Sequence, residues 1–550
     1  MGAVYTGSLA GVGASVGRTI HGYGALVGSA RHLLAGVLIV LVSGCLPMVG
    51  PNYVQPPAPL SAGWMEAQTP GLTPAPAALD AWWTALHDPT LSTLIERAYH
   101  ENPTLRVAGV RVLEAQARRG IAIGQFFPQT QQANASFTTA QVSLNTANQG
   151  LLQRSFDNAA LGFDAAWEID LWGKFRRGIE SADASLLASV ASYDDVLVSL
   201  LSEVAAVYVQ HRVFEARRAI IEENIAIQRE SYRITEKRFR EGMVSGLDVE
   251  QATVLLKGTE AVLPLIDAGL QQTENTLCIL LGVPPQDLSD LLGASGKIPE
   301  PSAELALGIP ADLLRRRPDI RQAERELAAQ SAQIGVAKAD LFPAFSLVGS
   351  IALDAEDVKD LFEGHSVQGF GGPSVRWAIL NYGRITNNVR VQDAVYQQLI
   401  SSYEATVLRA QLDVENSLAG YLRNRERVAL LGETTAAASR AVNIADLQYR
   451  EGAVDFVRVL NAQQAKLSDD DQLVQTRGDV VLNLIATYKG LGGGWEIRTG
   501  QDFVPAATMR EMGERTNWGG LLSPQDRGRD LDRATSDQSS RKWRWWWPKW

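Results

Sequence analysis

Side chains able to do chemistry are few in this 550-residue chain, and their spacing builds no reaction centre. The cysteines are Cys45 and Cys278. Cys278 lies in the apolar stretch Leu277-Cys278-Ile279-Leu280-Leu281, where a thiol behaves as a small buried hydrophobe. Downstream of Cys45 the histidines are His87, His100, His211 and His365, scattered and without the spacing that holds zinc. Gly490-Leu491-Gly492-Gly493-Gly494 follows a helical stretch, whereas a phosphate-cradling loop opens a helix, so it reads as a helix stop. No catalytic residue, cofactor site or metal site is therefore assigned. A net charge of −10 gives no reason to expect nucleic acid. The chain ends Arg541-Lys542-Trp543-Arg544-Trp545-Trp546-Trp547-Pro548-Lys549-Trp550, which suits a membrane surface or simply a tail.

Cys45 is the exception. Arg31 and His32 precede the apolar run Leu33–Leu41, too short for the ~20 residues that span a bilayer. Small residues and a cysteine follow, and Val42-Ser43-Gly44-Cys45 resembles a bacterial lipobox. The resemblance implies cleavage before Cys45 and lipidation of its sulfur, and Leu46 in place of aspartate then favours the outer membrane. Each buried methylene contributes about 0.8 kcal/mol, so several acyl chains anchor durably. An ordinary cleaved signal beside a chance cysteine is the alternative. Residues 1–44 are thus expected to be a signal peptide with an N-terminal extension. Residues 45–85, dense in proline between Pro47 and Pro76, should form an extended tether.

The chain repeats itself. Pro103, Leu105 and Arg106 match Pro318, Ile320 and Arg321; Phe126-Phe127-Pro128 matches Leu341-Phe342-Pro343, always 215 positions apart. From Trp167 and Trp377 onward the separation is 210, and Trp172-Gly173-Lys174 pairs with Tyr382-Gly383-Arg384. Phe239-Arg240-Glu241-Gly242 pairs likewise with Tyr449-Arg450-Glu451-Gly452. The five-residue change lies between Pro128 and Trp167, which places a loop there. Residues 86–290 and 291–500 are the two repeats, and 501–550 is expected as a partly disordered tail.

Each repeat reads as a helix, two strands and a long helical hairpin. Ala159, Leu161, Phe163, Ala165, Trp167, Ile169 and Leu171 make an odd-numbered apolar face, with Asp164, Glu168 and Asp170 on the even one. Phe345, Leu347, Gly349, Ile351 and Leu353 alternate with Ser346 and Ser350. This is the alternation of a transmembrane barrel strand, although a half-buried soluble sheet shows it too. No proline falls between Gly173 and Pro264, or between Gly383 and Pro505, and both stretches are rich in good helix formers. A helix from Gly173 to Arg240 would be about 100 Å long, which suggests side-by-side coiled-coil packing. Two strands per repeat give four per chain, too few to close a barrel, and open edges are not tolerated in lipid. More than one copy must therefore contribute; three would give twelve strands, but the strand count alone does not choose three.

The chain resembles the TolC-like outer-membrane efflux protein family in its lipoprotein branch, over about residues 50–500. The resemblance rests on Gly50-Pro51-Asn52-Tyr53, Trp82-Trp83, Asp88-Pro89-Thr90-Leu91 and Asn102-Pro103. Trp167-Glu168-Ile169-Asp170-Leu171-Trp172-Gly173 and Tyr488-Lys489-Gly490-Leu491-Gly492-Gly493-Gly494-Trp495 complete it. It implies a mainly α fold with a β-barrel part: helical hairpins forming a periplasmic tunnel, plus four transmembrane strands per chain in a homotrimer. Implied partners are outer-membrane lipids, a periplasmic adaptor and an inner-membrane proton-driven transporter. The tip that meets the adaptor would be Gly242-Met243-Val244 and Gly452-Ala453-Val454, and the gate above it Asp248, Tyr449, Arg458 and Asn461. Relatives often carry aspartates where Arg458 and Asn461 stand, so an Arg458–Asp248 pair is one expectation for closure. The function implied is the exit duct of a tripartite efflux system. Protein export by a type I system and a pore-less coiled-coil lipoprotein are the competing readings.

Overall fold

The computed structural model describes residues 48–69, 72–73, 79–143, 145, 154–293, 296–300, 305–306 and 310–522. Cys45, the expected signal peptide and the tryptophan-rich C-terminus lie outside the described residues. The chain forms two compact units. One comprises residues up to 51, 124–178 and 332–390; the other comprises 52–123, 179–331 and 391–550.

The first unit holds a four-stranded antiparallel sheet. Its strands are β1 (Thr130–Gln141), β2 (Ser155–Ile169), β3 (Ala344–Ala355) and β4 (Val367–Arg376), in the order β1-β2-β3-β4. Every pairing joins residues of like parity: Phe163 faces Ala133 and Ile351, and Ile351 faces Gly369. Directly opposed residues share a face, so all odd-numbered positions of the four strands lie on one side. That side carries Phe137, Leu161, Phe163, Leu347, Ile351, Val367 and Val375, all exposed. The other carries Gln132, Asn134, Asp164, Glu168, Ser346, Ser350 and Ser374. The two faces read from β2 and β3 therefore continue through the register of the whole sheet, with Thr139 and Asp157 as polar exceptions on the odd side and Phe370 as an exposed apolar one on the even side. β1 and β4 end the order and pair on one side only.

The helices preceding the two hairpins run to equivalent positions, but β1 begins one residue later than the 215 offset requires. Gln129 is the extra residue. Its side-chain Oε1 accepts from the Glu168 amide at 2.7 Å, and its Nε2 donates to the Glu168 carbonyl at 3.3 Å, standing in for a ladder partner.

Helices dominate the second unit. Pro103–Gly124 (α2, after α1, Pro89–Glu101) and Lys174–Arg240 (α3) recur as Pro318–Ala339 (α6) and Arg384–Arg450 (α7). Both long helices have 67 residues, about 100 Å at the usual rise. The return helix of the second hairpin, α8 (Phe456–Gly490), is continuous, whereas that of the first is divided into α4 (Gly246–Glu260) and α5 (Leu263–Leu280). Pro264 near the start of α5 lacks an amide and ends α4, while its counterpart Val474 lets α8 run on.

The sequence signatures converge here. Asp88 caps α1 by accepting from the amides of Thr90 and Leu91, and it also accepts from the Tyr208 hydroxyl at 2.6 Å. Asn102 caps α2 and donates to the Leu280 carbonyl. Trp82 stacks on Tyr488 at 5.4 Å, next to the Gly493-Gly494 stop. Residues 48–60 of the proline-rich stretch form neither helix nor strand, and the stretch is not loose. Gln411 of α7 accepts from the Ser61 amide and donates to the Pro59 carbonyl, Glu415 accepts from Met65, and Trp64 is buried. The stretch expected as a tail from residue 501 begins with a packed helix, α9 (Ala506–Arg515), which buries Met509 and Met512.

Candidate functional site at the hairpin turns

The two expected tip segments share one backbone construction. At the end of α3 the Met243 amide donates to the Arg238 carbonyl and the Gly242 amide to that of Phe239; at the end of α7, Ala453 donates to Gln448 and Gly452 to Tyr449. Each is a Schellman closure, with Gly242 at φ 73° and Gly452 at φ 74°, where a side chain would be strained. Met243 is 56% exposed, with Phe239 and Leu247 also exposed nearby. Ala453 is exposed, while Val244 and Val454 are half-buried.

The four expected gate residues divide. Ser245 and Asp248 form the capping box of α4: the Ser245 amide and hydroxyl both donate to Asp248 Oδ2, at 3.0 and 2.9 Å. Arg458 and Asn461 are exposed on α8, and among the described residues no ion pair joins Arg458 to Asp248. Tyr449 is buried instead. Its ring packs on Phe456 at 5.5 Å, and its hydroxyl lies 3.2 Å from the Thr235 hydroxyl. Arg238 donates to its carbonyl and lies over its ring. Burial raises the phenol's pKa above the ordinary value, with Asp248 adding to it and Thr235 and Arg238 opposing it.

Thr235 and Arg238 belong to a polar seam that sequence reasoning missed. Along α3, Ser231 accepts from Gln463, Glu223 meets Lys466 at 3.3 Å, and Arg217 meets Asp471 at 2.6 Å. Burial works against the Lys466 charge, but Asp470 at 2.7 Å and Glu223 outweigh it and raise its pKa. Ser245-Gly246-Leu247-Asp248 was readable as a capping pattern. The seam was not, because each pair joins residues more than two hundred positions apart. The arrangement contains no nucleophile activated by a base. It can hold two hairpins together at their ends or release them.

The profile of the outer membrane efflux protein family matches the chain twice, over residues 94–283 and 309–493, one match in each repeat. The chain is similar to Nodulation protein T of Rhizobium leguminosarum bv. trifolii, at 31% identity over 433 residues, 78% of this chain and 89% of that protein. It is similar to the antibiotic efflux pump outer membrane protein ArpC of Pseudomonas putida, at 30% identity over 480 residues, 86% of this chain and 97% of that protein. Among solved structures, the outer-membrane channel OprN superposes with a TM-score of 0.76 at 34% identity, covering 82% of this chain and 99% of that one.

Proposed function

Because this chain belongs to the outer membrane efflux protein family, we propose that three copies of it form the outer-membrane exit duct through which a tripartite system expels small molecules. The protein is an outer-membrane efflux channel; the copy number, lipid anchor, tip and gate are the proposed parts. One observation carries the assembly: a four-stranded sheet with most of its exposed large apolar side chains on one face and two strands paired on one side only among the described residues. Such a sheet cannot seal itself in hydrocarbon, and strands from sister copies satisfy its edges. The apolar face then meets lipid and the polar face lines the lumen.

Cys45 carries the acyl chains after cleavage behind residue 44, residues 45–85 connect it to the two repeats, and the chain has no catalytic activity of its own. Gly242-Met243-Val244 and Gly452-Ala453-Val454 meet a periplasmic adaptor, which links the duct to a proton-driven inner-membrane transporter. Asp248, Tyr449, Arg458 and Asn461 surround the closure, with the seam beneath Tyr449 holding the hairpins shut. Purified from membranes and added to a planar bilayer, the protein should give discrete single-channel currents and migrate as a heat-modifiable oligomer. A lone subunit without sheet signal and without currents overturns the reading. Radiolabelled palmitate should enter the wild type and not the C45A variant.

A further inference from the structure

The buried face of α3 changes character part-way along its length. Over its first half a ridge of Val190, Leu197, Leu201, Val204 and Tyr208 is fully buried. Asp194, His211 and Arg212, also buried there, are each paired. Nearer the turn, Asn224, Gln228, Ser231 and Thr235 are buried at steps of four, three and four, the seam of a coiled coil. α8 contributes buried Gln463, Lys466 and Asp470. Here the pairing is incomplete. Gln228 is 2% exposed and neither amide atom has a hydrogen-bond partner; Gln463 is 1% exposed and its Oε1 has none. Such atoms have lost water without a replacement, which weakens the packing that buries them.

The change coincides with a close approach of three helices. Gly478 of α8 lies on Val213, where a β-carbon at 478 would overlap the valine methyl. Gly269 of α5 lies on the Phe214 ring, where a β-carbon would come within 2.6 Å. Two consecutive residues of α3 are thus seated on glycines from two other helices. Beyond this point α3 keeps apolar contact with its own hairpin partner, Ile221 and Ile225 packing with Leu256 of α4. Toward α8 the next apolar cluster is at the turns, formed by Ala252, Tyr449, Phe456 and Val459.

We infer that Val213 and Phe214, seated on Gly478 and Gly269, are a fixed node in the helical unit, and that α8 parts from α3 only on the turn side of it. The inference rests on the reading of the turns as a closure and fixes where the moving part ends. From Phe214 to Arg240 the lever is about 39 Å of helix. Parting exchanges the Ser231–Gln463 and Glu223–Lys466 bonds for water and hydrates the orphaned amides. The paired groups oppose parting, and the orphans favour it.

Hydrogen exchange on the full-length protein reads the division directly. Amides of residues 217–238 should exchange at least tenfold faster than those of 190–213, and equal protection on both sides of the node overturns the inference. Q228L removes both orphaned atoms at similar volume. It should slow exchange at 217–238 severalfold and shorten channel openings in a planar bilayer about fivefold; exchange and openings as in the wild type, or enhanced, overturn it. A β-carbon at 478 would stand 3.6 Å from that of Val213, which suits a disulfide. Oxidised V213C/G478C should therefore open like the wild type, whereas E223C/K466C joined by a short bis-maleimide should not open. A node disulfide that stops the openings as completely as the lower bridge overturns the inference. A wild type without currents that shows the exchange step at residue 213 loses the channel reading and keeps the node. Currents without the step lose only the node.

Discussion

Glycine at 242 and 452 reverses the chain because both positions need a left-handed backbone that other residues adopt at a cost. Alanine at either should cost about 1 kcal/mol locally, seen as roughly fivefold faster amide exchange around the turn with exchange elsewhere unchanged. These glycines were legible because the conformation is recorded in the residue type. The burial of Tyr449 was not, since Arg238, which covers it, comes from 211 positions away. His211 offers a second test at this scale. It is buried, 2.9 Å from the Thr273 hydroxyl, and burial lowers its pKa below 6.5, Glu215 opposing and Arg212 assisting. The unfolded ring takes up a proton that the folded ring resists, so stability is retained above about pH 6.5 and lost as pH falls below it. The pH dependence of melting between about pH 7.5 and about pH 5 should be shallower in H211N; identical slopes would refute the assignment.

Among the elements, the strands give the clearest contrast. Ile351 and Ser350 are neighbours on opposite faces of β3. Arginine at 351 should cost about 2–4 kcal/mol in membrane stability, and arginine at 350 much less while shifting ion selectivity, measured by folding into vesicles and by reversal potentials. Alternation in β2 and β3 was visible in the sequence because a face against lipid admits few exceptions. β4, Val367–Arg376, with three glycines and a proline, gave no such pattern, and its place comes from pairing with β3. The long helices were legible from the absence of proline, and the break before α5 coincides with its return at Pro264.

For the whole molecule the internal repeat was the most informative reading, and the family profile matches it twice. The path of the proline-rich segment was hidden, because a chain without helix or strand, held by side chains such as Gln411, Glu415 and Arg423 from far along the sequence, has no periodicity to betray it. Replacing Gln411 and Glu415 with alanine should release that segment, and limited proteolysis should then cut between Pro57 and Met65 in the variant well before the wild type. Equal cutting in both would mean that those two side chains do not hold it.

Like parity across all three strand pairings also limits how such a chain can change its length. Inserting or deleting one residue within the ladder would turn every side chain beyond it from hydrocarbon to water, so strands can grow or shrink only two residues at a time. Odd steps must be absorbed outside the ladder, and Gln129, whose amide imitates a backbone at Glu168, marks where this lineage has accommodated one.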